Sequence, residues 1–279
     1  MVEPGVLFGI GSAAAWGTGD FAGGVAARRA GGLLVTGGAQ VVGFVVLLLA
    51  VLVLRPAPPA LATIVLGALG GAAGGLGLAA LYRGLAVGAM GLVSAISGIG
   101  GVLIPLSVGV LLWGTSIHPL QLAGVGCALA AVAAASGATT RGVNRSALLL
   151  ALAAAVGFGF WFVFLDRASV HDQLWALVAS RGSASVLIGG LALLRSDRTA
   201  LGPVAPLVGL AGLMDVAANG MVVLSFATIP VGIAAALSGT YPLATMLLAR
   251  ILLRESLPRL GAAAVGLAVA GIVLISLGG

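Results

Sequence analysis

The residues of this sequence that can do chemistry are a few acidic and aromatic side chains inside long apolar stretches. Asp20 follows Trp16 by four positions, and Asn219 follows Asp215 by four. This spacing places both members of each pair on one face of a helix. A carboxylate inside a membrane-spanning helix costs about 2.5–3.5 kcal/mol on the insertion scale, so it should face a cavity, a partner or the protein interior. Both acids are therefore candidates for a functional site.

Asp215 is the deepest of these charges, because it is the twelfth residue of an apolar run over 204–227. Its carboxylate could bind a cationic group, or take up and release a proton during transport. It could equally form a structural ion pair with Arg181, which lies in the preceding apolar run. At about 1.5 Å rise per residue the two side chains differ in height by roughly 3 Å, so they could meet. The sequence leaves these alternatives open.

Asp20 and the large aromatic residues have similar alternatives. The carboxylate of Asp20 either faces a cavity or is held near the membrane interface by serine, threonine or backbone groups. Trp16, Phe158 and Trp161 either form a cavity wall or pack in the core. Trp161 is a better candidate than Phe158, since a buried indole N–H needs an acceptor.

Two prolines predict breaks inside apolar runs. Pro242 cannot donate a backbone hydrogen bond to Ser238, and Pro105 cannot donate one to Gly101. Broken helices at corresponding places in two halves point to the substrate site of a transporter, although a kink that serves packing explains the prolines as well. Ser238 and its neighbour Tyr241 are therefore candidate binding residues.

The composition predicts an integral membrane protein. The chain of 279 residues is 61% hydrophobic and 7% charged, and its mean hydropathy is +1.24. A soluble domain contains about 25% charged residues. We expect a multi-pass protein of a bacterial-type cytoplasmic membrane, without room for a soluble domain. The first apolar run is expected to be a retained helix and not a cleaved signal.

The charged and metal-binding side chains exclude several functions. All 13 cationic residues are arginines, which lie mainly at the ends of apolar runs, and this pattern does not suggest nucleic-acid binding. Cys127 is the single cysteine, so no disulfide framework is expected. His118 and His171 have no second ligand at metal spacing. We therefore predict no metal site, no cofactor and no enzyme activity.

The predicted fold is an all-α membrane protein with ten spans in two five-helix repeats. Residues 1–138 form the first repeat, 139–146 the connector and 147–279 the second repeat. The segment Ala95–Gly98, which contains the candidate Ser97, matches Ala236–Gly239 at an offset of 141 residues. An odd number of spans per repeat makes the two repeats insert with opposite orientation. The predicted spans are 5–27, 33–54, 61–86, 89–113, 119–138, 147–167, 173–194, 204–227, 229–249 and 259–277.

Five segments resemble the drug/metabolite transporter superfamily, and within it the ten-helix type built from two EamA-like repeats. They are Ala15-Trp16-Gly17, Ala80-Leu81-Tyr82-Arg83-Gly84-Leu85, Arg181, Ser238-Gly239-Thr240-Tyr241-Pro242-Leu243 and Arg254-Glu255-Ser256-Leu257-Pro258. The resemblance covers the whole chain and adds Tyr82 to the candidate residues. Gln40 departs from the family pattern, because it stands where arginine is frequent.

The resemblance implies a secondary transporter that moves a small metabolite across the membrane by alternating access. The expected partners are a small-molecule substrate and the lipid bilayer, with proton coupling as a hypothesis, and the chain is expected to be a monomer or a homodimer. Export of an amino acid-like or amphipathic compound is the first hypothesis. The alternatives are a multidrug or lipid-linked substrate, or a membrane scaffold without transport. The arginine distribution favours both termini outside, whereas the family habit favours both inside.

Overall fold

The computed structural model describes residues 3–87, 90–135, 145–170, 172–253 and 261–278, which form helices joined by short connections and contain no strand. The predicted all-helical class is confirmed. The helices are α1 (Pro4–Ala30), α2 (Gly32–Leu54), α3 (Leu61–Val87), α4 (Met90–Leu111), α5 (Pro119–Ala135), α6 (Arg145–Ser169), α7 (Gln173–Ala184), α8 (Gly190–Arg195), α9 (Ala205–Phe226), α10 (Val231–Ser238), α11 (Tyr241–Leu253) and α12 (Gly261–Leu277). A π-helical turn, Ser185–Gly189, joins α7 to α8, and a 3₁₀ segment, Arg198–Val204, precedes α9.

The apolar segments form helices because the core of a bilayer contains no water to hydrogen-bond the backbone. A helix pairs the backbone N–H and C=O groups within its own segment. Residues with positive φ angles lie at the ends of three of these helices. Gly31 (φ 82°) separates α1 from α2, and Gly114 (φ 65°) follows α4. Arg55 (φ 47°) closes α2 in the left-handed region, where its backbone N–H donates to Val51.

Five helical stretches of the described residues are long and apolar enough to cross a membrane. They are Gly32–Leu54, Leu61–Gly84, Arg145–Ser169, Gln173–Arg195 and Arg198–Phe226; two shorter apolar stretches are Ile96–Leu111 and Pro119–Ala134. Large apolar side chains such as Leu52, Val53 and Leu194 are exposed on the outside of the bundle, where lipid would cover them. The predicted number of ten spans stays a prediction.

The two predicted proline breaks have different outcomes. Helix α4 continues through Pro105, so the predicted break there is wrong. A proline inside a helix removes one hydrogen bond and kinks the chain, and packed neighbours can tolerate this without ending the helix. The ninth predicted span is divided, because α10 ends at Ser238 and α11 begins at Tyr241. Pro242 therefore lies in the first turn of α11, where no backbone donor is required.

Some predictions concern residues outside the described ranges. These include most of the predicted connector (139–144), the corner Arg254-Glu255-Ser256-Leu257-Pro258, and His171.

Helices from the two halves of the chain pack against each other. Helix α1 lies along α9, and α6 lies along α3 and α4. Small residues allow the close approach: a Cβ atom on Gly17 would lie 2.4 Å from Cβ of Ala244, and one on Gly157 would lie 2.7 Å from Cα of Gly77. Helices α5 and α12 pack on each other at the edge. The interface between the halves thus runs through the centre of the bundle.

Candidate functional site

A central cavity lies between the two halves and encloses about 890 Å³ of unfilled space, counted together with its open mouth. Its walls come from α1–α4 on one side and from α6, α7, α9 and the α10–α11 junction on the other. Nine of the ten candidate binding residues line it: Trp16, Asp20, Tyr82, Ser97, Phe158, Trp161, Asp215, Asn219 and Tyr241. Arg181 lines it as well. The substrate-binding role of these residues stays a prediction.

An ion pair joins α7 and α9 at the cavity wall. Nη1 of Arg181 lies 2.5 Å from Oδ2 of Asp215. The same Nη1 donates to Oε1 of Gln40 on α2. The arginine side chain is 4% exposed and the aspartate side chain 19%. The predicted contact between Arg181 and Asp215 is therefore present, and Gln40 completes a polar chain across three helices.

Trp16 of α1 hydrogen-bonds to the aspartate of this ion pair. Its indole Nε1 donates to Oδ1 of Asp215 at 2.9 Å and to Oδ1 of Asn219 at 3.0 Å. The spacing of four between Asp215 and Asn219 puts both acceptors on the face of α9 that packs against α1. One indole thus fixes the orientation of a carboxylate and an amide.

Aromatic rings form a continuous wall next to Trp16. Its ring centroid lies 5.5 Å from that of Trp161, 5.9 Å from that of Phe162 and 6.2 Å from that of Tyr241, all edge to face. Edge-to-face pairs at such distances add about 0.5–1.5 kcal/mol to area burial. Trp161 Nε1 donates to Oγ of Ser180 at 3.3 Å, which is the acceptor that a buried indole needs.

Asp20 contributes a second carboxylate to the cavity. Oδ1 of Asp20 accepts a long hydrogen bond of 3.5 Å from the hydroxyl of Tyr82 on α3. None of the salt bridges in the described part of the chain includes Asp20. The carboxylate is half-buried and faces the cavity.

The two matched serines do not have the same surroundings. Ser97 lines the cavity, but its hydroxyl donates to the carbonyls of Val93 and Ala151. Ser238 does not line the cavity: its hydroxyl lies 2.6 Å from that of Ser12 and is fully buried. The direct role predicted for Ser238 in binding is therefore not supported by its position. Ser238 and Tyr241 do not belong to one continuous helix, because α10 ends at Ser238 and α11 begins at Tyr241.

Three of the polar and aromatic lining residues are not among the residues that the sequence singles out as site candidates: Gln40, Ser180 and Phe162. Gln40 had a detectable signal, since it aligns with Arg181 at the repeat offset of 141. Ser180 and Phe162 had none, because a serine and a phenylalanine in apolar helices are ordinary. Three closely spaced glycines of α3, Gly71, Gly74 and Gly75, also line the cavity while they pack against α6 and α7.

No group of three or more histidine, cysteine, aspartate or glutamate side chains is close enough to hold an ion among the residues that the structure describes. The chemistry that the site offers is charge pairing, hydrogen bonding and aromatic contact.

Comparisons with known proteins agree with this architecture. The profile of the EamA-like transporter family matches residues 145–277. A solved crystal structure aligns with a TM-score of 0.81 over 99% of this chain and 98% of its own, at 19% sequence identity, which shows a shared fold alone. No curated protein matches the chain in sequence. The chain is an integral membrane protein that carries an EamA-like transporter family domain, consistent with the drug/metabolite transporter superfamily.

Proposed function

We propose that this protein is a secondary transporter that exports small amino acid-like or amphipathic compounds across the cytoplasmic membrane by alternating access. The observation that carries the proposal is the central cavity, whose polar chain of Trp16, Asp215, Arg181 and Gln40 crosses the interface between the two halves. Sites between repeats are typical of secondary transporters. The family domain supports transport, and the cavity supports a small-molecule substrate.

Recurring contacts between the halves support an inverted repeat of five plus five spans. Ser97 of α4 hydrogen-bonds to α6 at Ala151, and Ser238 of α10 hydrogen-bonds to α1 at Ser12. Ser97 and Ser238 are 141 positions apart, so matched residues bind the first helix of the opposite half. Two such halves around a shared cavity could rock to open it to either side.

The test of transport is flux into liposomes that contain the purified full chain. Radiolabelled amino acids, sugars and amines would be screened with and without a proton gradient. Trp161→Ala removes part of the aromatic wall and should abolish the flux found for the wild-type protein. Trp175→Ala is the matched control, because the Trp175 indole donates to the Ala57 carbonyl outside the cavity. If the wild-type protein is folded and transports none of these compounds, the result would favour the alternative function, a membrane scaffold without transport.

Alternating access has its own test. In a Cys127→Ser background, Leu78→Cys places a thiol in the cavity wall, and Leu76→Cys places one on the exposed outer face. A membrane-impermeant thiol reagent should label position 78 from both sides of the membrane, in proportions that change with substrate. Position 76 should stay unlabelled in the bilayer. Labelling of position 78 from one side under every condition argues against alternating access.

A further inference from the structure

The described lining of the cavity contains more acidic than basic side chains. The described lining includes two carboxyl groups, Asp20 and Asp215, and one guanidinium group, Arg181. Arg181 and Asp215 neutralise each other in the ion pair. Asp20 is left with a carboxylate that can accept about four hydrogen bonds and receives one long bond from Tyr82. Among the described lining residues, the carboxyl of Asp20 is therefore left without a cationic partner.

The guanidinium group of Arg181 is already paired with an anion of the protein. Its Nη1 already serves both Asp215 and Gln40, and the side chain is 4% exposed. Its Nε is buried without a hydrogen-bond partner and lies near Gly43 of α2, away from any open surface. A ligand carboxylate that entered the cavity would meet the carboxyl of Asp20, while the one cationic side chain of the described lining, Arg181, is already paired with Asp215.

The wall beside Asp20 suits an apolar cation. Trp16 lies one helical turn from Asp20, and its ring contacts those of Trp161, Phe162 and Tyr241. The faces of such rings attract a cation, and the rings also bury an apolar body. Aromatic walls beside one carboxylate thus provide both recognition elements of an amphipathic amine.

The hydroxyl of Tyr241 supplies an independent indication of a ligand. Tyr241 lines the cavity and is 8% exposed, and its hydroxyl oxygen is buried without a hydrogen-bond partner. A buried polar atom without a partner is costly, by about 1–3 kcal/mol. An ammonium group in the cavity would give this oxygen a donor.

We propose that the cavity selects organic monocations, namely primary or secondary amines with an apolar body, and rejects the corresponding zwitterions and anions. The ammonium group pairs with Asp20 and donates to the hydroxyl of Tyr241. The apolar body lies against Trp16, Trp161 and Phe162. This inference rests on the proposed transport function and narrows its substrate from amino acid-like or amphipathic compounds to cationic amines.

Three probes that share a phenyl ring and a short alkyl chain test the selection: 2-phenylethylamine, phenylalanine and 3-phenylpropanoate. They are a cation, a zwitterion and an anion at neutral pH. Binding to the purified full chain in detergent would be measured by calorimetry. We expect the amine to bind roughly tenfold more tightly than phenylalanine, as one desolvated charge pair or cation–π contact allows. Equal or tighter binding of phenylalanine or of 3-phenylpropanoate, or no binding of the amine, overturns the proposal.

Variants of Asp20 and Tyr241 assign the selection to these residues. Asp20→Asn should weaken amine binding roughly tenfold and leave 3-phenylpropanoate binding no weaker. Asp166→Asn makes the same change on α6 outside the cavity lining and should leave the amine affinity unchanged. If Asp20→Asn does not fold, two other variants take its place. Asp20→Glu should retain the preference for the amine. Tyr241→Phe should weaken the binding of the amine. Unchanged amine affinity in folded Asp20→Asn or Tyr241→Phe overturns the assignment.

Flux measurements separate this inference from the proposed function. Transport of phenylalanine without binding of the amine contradicts cation selection and leaves transport intact. Binding of the amine with the predicted preference, but without flux of any of the three probes in liposomes, supports the cation site and contradicts transport of these compounds.

Discussion

Gln40 and Arg181 are 141 positions apart, which is the offset between the two halves, and they contact each other through Oε1 and Nη1. In the proposed inverted repeat these two residues are equivalent, and equivalent residues of two such repeats meet near the axis that relates them. Arg181 lies between Asp215 from its own half of the chain and Gln40 from the other half. The amide at position 40 accepts a hydrogen bond there, which a second arginine could not do.

Loss of one member of the ion pair should destabilise the protein. In Asp215→Asn, the charge of Arg181 stays buried without its anion. Breaking a buried pair in this way costs about 3–5 kcal/mol, and we expect about 3 kcal/mol because Asp215 is 19% exposed. Unfolding in mixed detergent, followed by circular dichroism, measures the difference. Asp166→Asn provides the control, since Asp166 lies 3.6 Å from the 45% exposed Arg167.

The double variant Arg181→Met with Asp215→Leu should recover most of this loss, because it buries no unpaired charge. It should nevertheless lose transport, since the cavity then lacks its polar chain. A double variant that is no more stable than Asp215→Asn would show that the pair is not the source of the destabilisation.

Ser12 and Ser238 form the contact between α1 and α10, and their replacement by alanine should lower the stability of the protein by different amounts. In Ser12→Ala, the fully buried hydroxyl of Ser238 loses the partner that it has in the structure, at a cost of about 1–3 kcal/mol. In Ser238→Ala, the hydroxyl of Ser12 still donates to the carbonyl of Gly9 at 2.7 Å, so the cost should be smaller. Both variants should keep the substrate affinity. The same unfolding assay compares them, and the reverse order would contradict the contact.

A methyl group on Gly74 should disturb the aromatic wall. A Cβ atom there would lie 2.6 Å from the Cδ1 atom of Trp161, so the indole must move. We expect Gly74→Ala to weaken binding of a transported substrate while the helical content stays normal. Gly126→Ala in α5 is the matched control, because a Cβ atom at Gly126 would have no atom within 4 Å. That variant should be neutral or more stable by up to about 1 kcal/mol, as alanine is in helices. Equal effects of the two variants would contradict the packing.

The indole N–H of Trp16 should contribute to transport separately from the aromatic ring. Trp16→Phe keeps an aromatic ring but removes the donor to Asp215 and Asn219. We expect transport to fall by roughly tenfold, which corresponds to the loss of one hydrogen bond to a charged group. Trp175→Phe also removes one indole hydrogen bond, to the carbonyl of Ala57, and should leave transport unchanged. Transport assays in liposomes with matched protein content decide between these outcomes.

The sequence by itself determined the helical class and most of the polar and aromatic residues that line the cavity. Acids and indoles inside apolar runs are costly unless they face a cavity or a partner, so Asp20, Asp215, Trp16 and Trp161 could be selected without coordinates. The spacing of Asp215 and Asn219 also placed both on one helical face. Each of these inferences depends on one helix at a time.

Only the tertiary structure decided which groups are partners. The hydrogen bonds from Trp16 to Asp215 and from Arg181 to Gln40 depend on the rotation of each helix against another far along the chain. Small-residue packing sets that rotation, as at Gly17 against Ala244, and spacing within one helix carries no information on it. The same limit explains Pro105 and Ser238. A proline can kink or end a helix according to its neighbours, and the end of α10 turned Ser238 away from the cavity towards Ser12.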